Sequence, residues 1–228
     1  MKIFEFVKKE LEGFSFFEKL FFAIVIFLVC IISIYLNDSK IALVSALAGI
    51  SYTILAGKGK ISCYFIGMIG TFCYCYLSFK NGFYGNLALY GLYYFPMEII
   101  GIWRWAKHLK KDKQEIIKKK LSIKKRIGFY LSACFASVIA YFFLKYIGAK
   151  TPLFDAISVV FSIFGQILTV KRCYEQWHFW FVVNLCSLIM WIIAYLNGSN
   201  CFATILMWLV YLILTFYFIK QWKKELNN

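Results

Sequence analysis

Eight apolar runs of about 17–22 residues recur along the chain, each long enough for a helix to cross a hydrocarbon core roughly 30 Å thick. They cover residues 20–36, 41–57, 61–79, 83–104, 127–147, 153–170, 176–196 and 201–219. Short polar connectors separate them. The pattern therefore predicts an all-α integral membrane protein of eight transmembrane helices with no room for a soluble domain. The first run follows a mixed-charge segment, Met1 to Lys19, and no small-x-small cleavage site follows it, so it reads as a membrane helix rather than a signal peptide.

The runs also repeat. An offset of 113 pairs Ser45 with Ser158, Gly49 with Ser162 and Lys58 with Lys171. An offset of 117 pairs Tyr94 with Tyr211 and Trp105 with Trp222, and Asn81-Gly82 falls opposite Asn197-Gly198 at an outside turn. Runs 41–57, 61–79 and 83–104 form one triplet, and runs 153–170, 176–196 and 201–219 the other. Run 127–147 alone separates them, so both triplets enter the membrane from the same side. The expectation is two parallel three-helix repeats joined by a linker helix (3+1+3) plus an N-terminal helix, an arrangement found in transporters with the site between the halves. The corresponding division is 1–37 (cytosolic N-terminus and peripheral helix), 38–105 (first repeat), 106–150 (basic linker and linker helix), 151–222 (second repeat) and 223–228 (cytosolic tail).

Composition agrees: 62% of residues are hydrophobic and 16% charged, which excludes a soluble domain of this length. The formal net charge of +15 would point to nucleic acid in a soluble chain. Its distribution points elsewhere. With a cytosolic N-terminus and eight spans, all of the 26 Lys and Arg except Lys40, Lys80, Lys145 and Lys150 fall on the inside. That asymmetry sets both termini in the cytosol. The basic stretch Arg104 to Arg126 then fixes topology and touches anionic lipid, and no nucleic-acid partner is expected. The eight cysteines are scattered, without the spacing of a disulfide framework or a metal site.

Candidate chemistry lies inside the runs. Trp177, Trp180, Asn184 and Trp191 share one helical face at steps of three, four and seven. Lipid gives no reason to keep an amide at mid-span, whereas a flat solute that must be stacked and hydrogen-bonded does. Asn86, Tyr90, Tyr94, Glu98, Gly101 and Trp105 form a second stripe, interrupted by Pro96, which favours a kink. Thr204, Trp208, Tyr211 and Thr215 form a third, and Asp155, Ser158, Ser162, Gln166 and Thr169 a fourth. Plainer readings stand beside these. Ser and Thr stripes serve helix packing. Trp177, Trp103 and Trp105 suit a boundary belt, and Asn184 suits a helix–helix hydrogen bond. His178 faces away from the tryptophan stripe and is assigned no chemistry. Glu98, Gln166 and Asn184 are hardest to explain as packing, because polar groups at this depth are costly.

The segment Tyr93-Tyr94-Phe95-Pro96-Met97-Glu98-Ile99-Ile100-Gly101-Ile102-Trp103-Arg104-Trp105, with Trp177-x-x-Trp180-x-x-x-Asn184 downstream, resembles the PnuC family of vitamin transporters. The resemblance covers most of residues 41–222. It implies a fold related to the SWEET sugar transporters and uptake of nicotinamide riboside across a bacterial inner membrane, with thiamine or riboflavin carried by close members. It implies facilitated diffusion with trapping by a cytosolic kinase, and a homotrimer; no cofactor or metal is expected from the residues. By motif position, Trp180 and Asn184 correspond to the family's aromatic and amide substrate contacts. Glu98 stands where many members are expected to have Gln. A carboxylate suits the cationic rings of nicotinamide riboside and thiamine and disfavours neutral riboflavin. The expected substrate-binding set is Trp180, Asn184, Glu98, Gln166, Tyr94, Tyr211, Trp177, Trp208 and Asn86.

Two other classes compete. A membrane enzyme needs a clustered nucleophile and base or paired metal ligands, and the only histidines, His108 and His178, sit at membrane boundaries. A structural membrane protein explains the packing stripes but not the joint occurrence of Trp180, Asn184 and Glu98. No ATP-binding P-loop occurs, so direct ATP drive is not encoded.

Overall fold

The computed structural model describes residues 10, 12–35, 39–80, 87, 89–110, 115–148, 151–198 and 202–227. Among them the chain is all-α. Helices α1 (Phe16–Tyr35), α2 (Lys40–Lys58), α3 (Ser62–Lys80), α4 (Phe95–Ala106), α5 (Ile123–Tyr146), α6 (Pro152–Val170), α7 (Gln176–Leu196) and α8 (Phe202–Asn227) follow in order, and a π-helical turn, Leu89–Tyr94, leads into α4. The order matches the eight apolar runs. Six helices, rather than eight, are long and apolar enough to cross a membrane among the described residues: α1, α2, α5, α6, α7 over Gln176–Ile193 and α8 over Ile205–Asn227. Helix α3 carries Gly67, Gly70, Thr71 and three tyrosines among its apolar residues. The run before α4 is broken where the π turn meets Pro96, at the start of a helix only 12 residues long. Pro96 has no N–H to donate, and a change of helical register at that point removes the need for one.

Helix α1 starts four residues earlier than its apolar run. Ser15 and Glu18 form a reciprocal capping box, Ser15 N–H donating to the Glu18 carboxylate at 2.6 Å and Glu18 N–H to Ser15 Oγ at 3.2 Å. The outer faces of α1 and α5 carry Phe27, Leu28, Ile31, Leu131, Phe135, Ile139 and Phe142, all exposed. Buried polar side chains, among them Thr71, Glu98, Gln166, Asn184 and Thr215, lie inside. Apolar outside and polar inside is the order a bilayer imposes.

The chain divides into two compact units, Met1–Ile117 and Lys118–Asn228. In the first, α1 packs on α2, α2 on α3 and α3 on α4. Lys58, buried, ties the end of α2 to α1 through a 2.6 Å ion pair with the partly buried Glu18, and lies over the Phe14 ring. In the second, α5 packs on α6, α6 on α7 and α7 on α8. Its core gathers Ala133, Val160, Leu168, Cys173 and Phe179, with the Phe179 ring stacked between Tyr130 and Phe164.

Both α2 and α6 end in the same turn. Gly59 takes φ 76° and the next N–H, of Lys60, donates to Leu55 O; Arg172 takes φ 60° and the N–H of Cys173 donates to Leu168 O. A left-handed residue closes a helix in this way, at little cost for Gly59 and about 1 kcal/mol for a non-glycine such as Arg172. The connector after α4 docks on these turns: Ile116 N–H donates to Gly59 O in the first unit, and Lys119 N–H to Arg172 O in the second.

Candidate functional site

Helix α7 brings Trp177, Trp180 and Asn184 onto one face, as their spacing requires, but the three fare differently. Trp177 is buried, stacked on Phe218 at 5.1 Å and edge-on to Trp222 at 5.8 Å. It is packing within the unit, neither a boundary anchor nor an open stacking surface. Trp180 is partly buried, and its indole N–H donates to Thr169 Oγ1 of α6 at 3.0 Å. Asn184 is buried, and its Nδ2 donates to Thr215 Oγ1 of α8 at 2.8 Å. That is the helix–helix bond of the plainer reading. It uses one N–H of a group with two donors and a carbonyl. Trp191, further along the stripe, is on the exposed side.

The remaining predicted residues of the second unit sit on α6 and α8. Gln166 is buried on α6, one residue after Gly165, over which Trp180 lies. Ser158 and Ser162 donate to backbone carbonyls of their own helix, Asp155 O and Val159 O, which is the packing role. Tyr211 stands one turn before Thr215 on α8 and meets Trp208 edge-on at 5.7 Å. The Trp208 indole N–H is buried without a hydrogen-bond partner among the described residues. His178 bonds the Tyr130 hydroxyl at 2.6 Å and faces α5, away from the Trp180 side.

In the first unit the focus is Glu98. It is 5% exposed, Thr71 Oγ1 donates to its Oε1 at 2.9 Å, and its Oε2 is buried without a hydrogen-bond partner among the described residues. No ion pair satisfies it among the described residues. Gly67 gives the carboxylate its room, since a Cβ there would stand 2.9 Å from Oε1 and 2.8 Å from the Tyr52 ring. Tyr52, which shares the space at Gly67 with Glu98, meets Tyr64 edge-on at 6.1 Å, and Tyr64 meets Trp105 at 4.9 Å. Trp105 is fully buried, a correction to its reading as a boundary anchor, whereas Trp103 is 59% exposed with Lys107 over its ring, as an anchor should be. Tyr94, at the end of the π turn, packs edge-on against Tyr90 at 4.9 Å. Asn86 lies outside the described residues.

A half-satisfied buried carboxylate attracts a cation, because the lone charge costs several kcal/mol and a partner recovers part of it. The neighbouring Tyr52 ring adds cation–π attraction. The second unit offers a flat indole and an amide. Spacing found Trp180, Asn184 and Glu98; it missed Thr169, Thr215 and Thr71 as their partners. The repeat offsets held that signal, because 71 maps to 184 under 113 and 98 maps to 215 under 117. Among the described residues no three of His, Cys, Asp and Glu gather as metal ligands.

A family model described as nicotinamide mononucleotide transporter matches residues 39–224. The chain is 30% identical over 223 residues to the nicotinamide riboside transporter PnuC of Neisseria mucosa, a match spanning 95% of this chain and 85% of that one. It is 27% identical over 189 residues to the Haemophilus influenzae protein of the same name, across 82% and 80% of the two chains. The crystal structure of the vitamin B3 transporter PnuC matches with a TM-score of 0.82 and 30% identity over 95% of each chain.

Proposed function

The chain belongs to the nicotinamide mononucleotide transporter family, and on that premise we propose that it imports nicotinamide riboside across a bacterial inner membrane by facilitated diffusion. The observation that carries this reading is the full-length likeness to a vitamin B3 transporter, with an indole, an amide and an unpaired carboxylate held inside the membrane helices. Trp180 stacks the pyridinium ring, and Asn184 and Gln166 bond its amide or the ribose hydroxyls. Glu98 balances the ring charge. Tyr94, Tyr211 and Trp208 supply apolar and polar contacts within their own units, Trp177 backs the site from its packed position, and Asn86 belongs to the same set by sequence. The riboside is favoured over the mononucleotide because none of these residues is cationic, and a phosphate next to Glu98 would be repelled.

The architecture proposed is 3+1+3 plus α1, two parallel repeats, 38–105 and 151–222, that alternately expose the solute. It is supported by the corresponding turns at Gly59 and Arg172 and by the corresponding bonds Thr71–Glu98 and Asn184–Thr215. Both termini are cytosolic, a kinase there consumes the arriving riboside, and the carrier assembles as a homotrimer. Thiamine, also a cation, is the second reading that Glu98 favours; riboflavin is disfavoured.

Uptake into proteoliposomes tests the proposal. Labelled nicotinamide riboside should equilibrate without an imposed proton or sodium gradient, and excess unlabelled riboside should block it. Accumulation only with such a gradient would overturn facilitated diffusion. Competition by thiamine alone would move the substrate to the second reading.

A further inference from the structure

Trp180 is held on one side by helix α6. Its indole N–H donates to Thr169 Oγ1 at 3.0 Å, and Thr169 Oγ1 donates in turn to Gly165 O at 2.9 Å. A Cβ built on Gly165 would meet Trp180 Cε2 at 3.3 Å and Cδ2 at 3.5 Å. Those two atoms are shared by the five- and six-membered rings and are flanked in the plane on both sides. They can be approached only from above or below, so Gly165 touches a face of the indole. Among the described residues no aromatic ring contact is made with Trp180. Thr169 is 1% exposed, which leaves the hydrogen bond out of competition with water.

The corresponding contact in the first unit is built the other way round. Under the offset of 113, Gly165 maps to Tyr52, Trp180 to Gly67 and Thr169 to Ala56. There the ring comes from α2 and lies on a glycine of α3, the Tyr52 Cδ2 being 2.8 Å from a Cβ built on Gly67. Ala56 has no hydroxyl with which to fix a ring. The N–H anchor is therefore particular to Trp180 rather than a requirement of packing this pair of helices.

We infer that Gly165 and Thr169 are positioning residues for solute stacking. Gly165 seats one indole face on the α6 backbone, and Thr169 fixes the rotation of the ring about its Cβ–Cγ bond, so that the opposite face is presented at a defined tilt. The inference rests on the reading of Trp180 as the stacking residue. It names what sets the plane of the bound ring, and so selects flat solutes that can lie parallel to it.

Calorimetric titration of the purified full-length protein with nicotinamide riboside tests it. Thr169→Val keeps the side-chain shape and removes the acceptor; binding should weaken by about threefold to tenfold, the range for one lost hydrogen bond. Thr169→Ser should restore it. In a Trp180→Phe background, where there is a ring but no N–H, Thr169→Val should have no further effect. Unchanged affinity of Thr169→Val in the native background, or the same loss in the Trp180→Phe background, would overturn the inference. If Trp180→Ala abolishes binding while Thr169→Val does not alter it, only the positioning role fails. If Trp180→Ala also leaves binding intact, the stacking reading beneath it fails as well.

Discussion

In the first unit Thr71 on α3 donates to Glu98 on α4; in the second, Asn184 on α7 donates to Thr215 on α8. The same offsets relate a second pair of contacts. Tyr64 meets Trp105 edge-on at 4.9 Å, and Trp177 meets Trp222 edge-on at 5.8 Å. Each unit thus ties two successive helices, α3 to α4 and α7 to α8, with one buried hydrogen bond and one aromatic pair. What differs is the chemistry within that frame. The first unit has a buried carboxyl group, and its ring-on-glycine contact is made by Tyr52. The second has a neutral amide, and its ring is the pinned indole of Trp180. Shared packing thus leaves two positions free to diverge, one to a carboxyl group and one to an indole.

The largest effect expected from breaking this division is at the ring. Trp180→Ala should weaken binding of nicotinamide riboside by on the order of 10- to 100-fold, the range for losing one aromatic stacking partner. Titration of the purified variant measures it, and an unchanged affinity would remove Trp180 from the site.

The frame itself can be tested at the position where the units differ in bulk, Gly101 against Phe218. Phe218 stacks on Trp177, whereas a Cβ at Gly101 would stand 2.3 Å from Tyr64 Cζ. Gly101→Ala should therefore destabilise by about 1–3 kcal/mol through overpacking. A lowered Tm in detergent is the expected readout; an unchanged one would mean Tyr64 is free to move.

Removing the charge should have a smaller and more selective effect. Glu98→Gln keeps an oxygen to accept from Thr71 but loses the charge. Binding of nicotinamide riboside should weaken by roughly tenfold, a modest value for one unpaired charge contact. Binding of its reduced, uncharged dihydropyridine form should stay within about twofold, since no charge term is lost there. Equal losses for both would show that Glu98 acts through shape rather than charge. Smallest of all should be Trp103→Leu. That ring is 59% exposed and outside both constellations, so affinity and Tm should hardly move.

The sequence carried the order of helices plainly, because repeated apolar runs of bilayer length would be costly to expose anywhere but in lipid. It also suggested a correspondence of two halves through Lys58 with Lys171 and Trp105 with Trp222. What covers each stripe was not legible. Helical spacing puts Trp177 and Trp180 on one face, but only packing shows that Phe218 and Trp222 close over the first while Gly165 seats the second. Asn184 could be read as ligand or as helix tie, and its bond to Thr215 shows that the tie is made. The π turn at Leu89–Tyr94 changes the residues per turn midway through the Glu98 stripe, which a constant period of 3.6 cannot foresee. One local signal was present: Ser15-Phe16-Phe17-Glu18 has the capping-box spacing that starts α1, ahead of the point where apolar density rises.

The division of labour between ring and charge is tested by a paired calorimetric titration of the native protein, Trp180→Ala and Glu98→Gln with nicotinamide riboside and its uncharged reduced form. Trp180→Ala should lose affinity for both ligands, while Glu98→Gln should lose affinity only for the cation. Binding of both ligands by both variants at native affinity would contradict it.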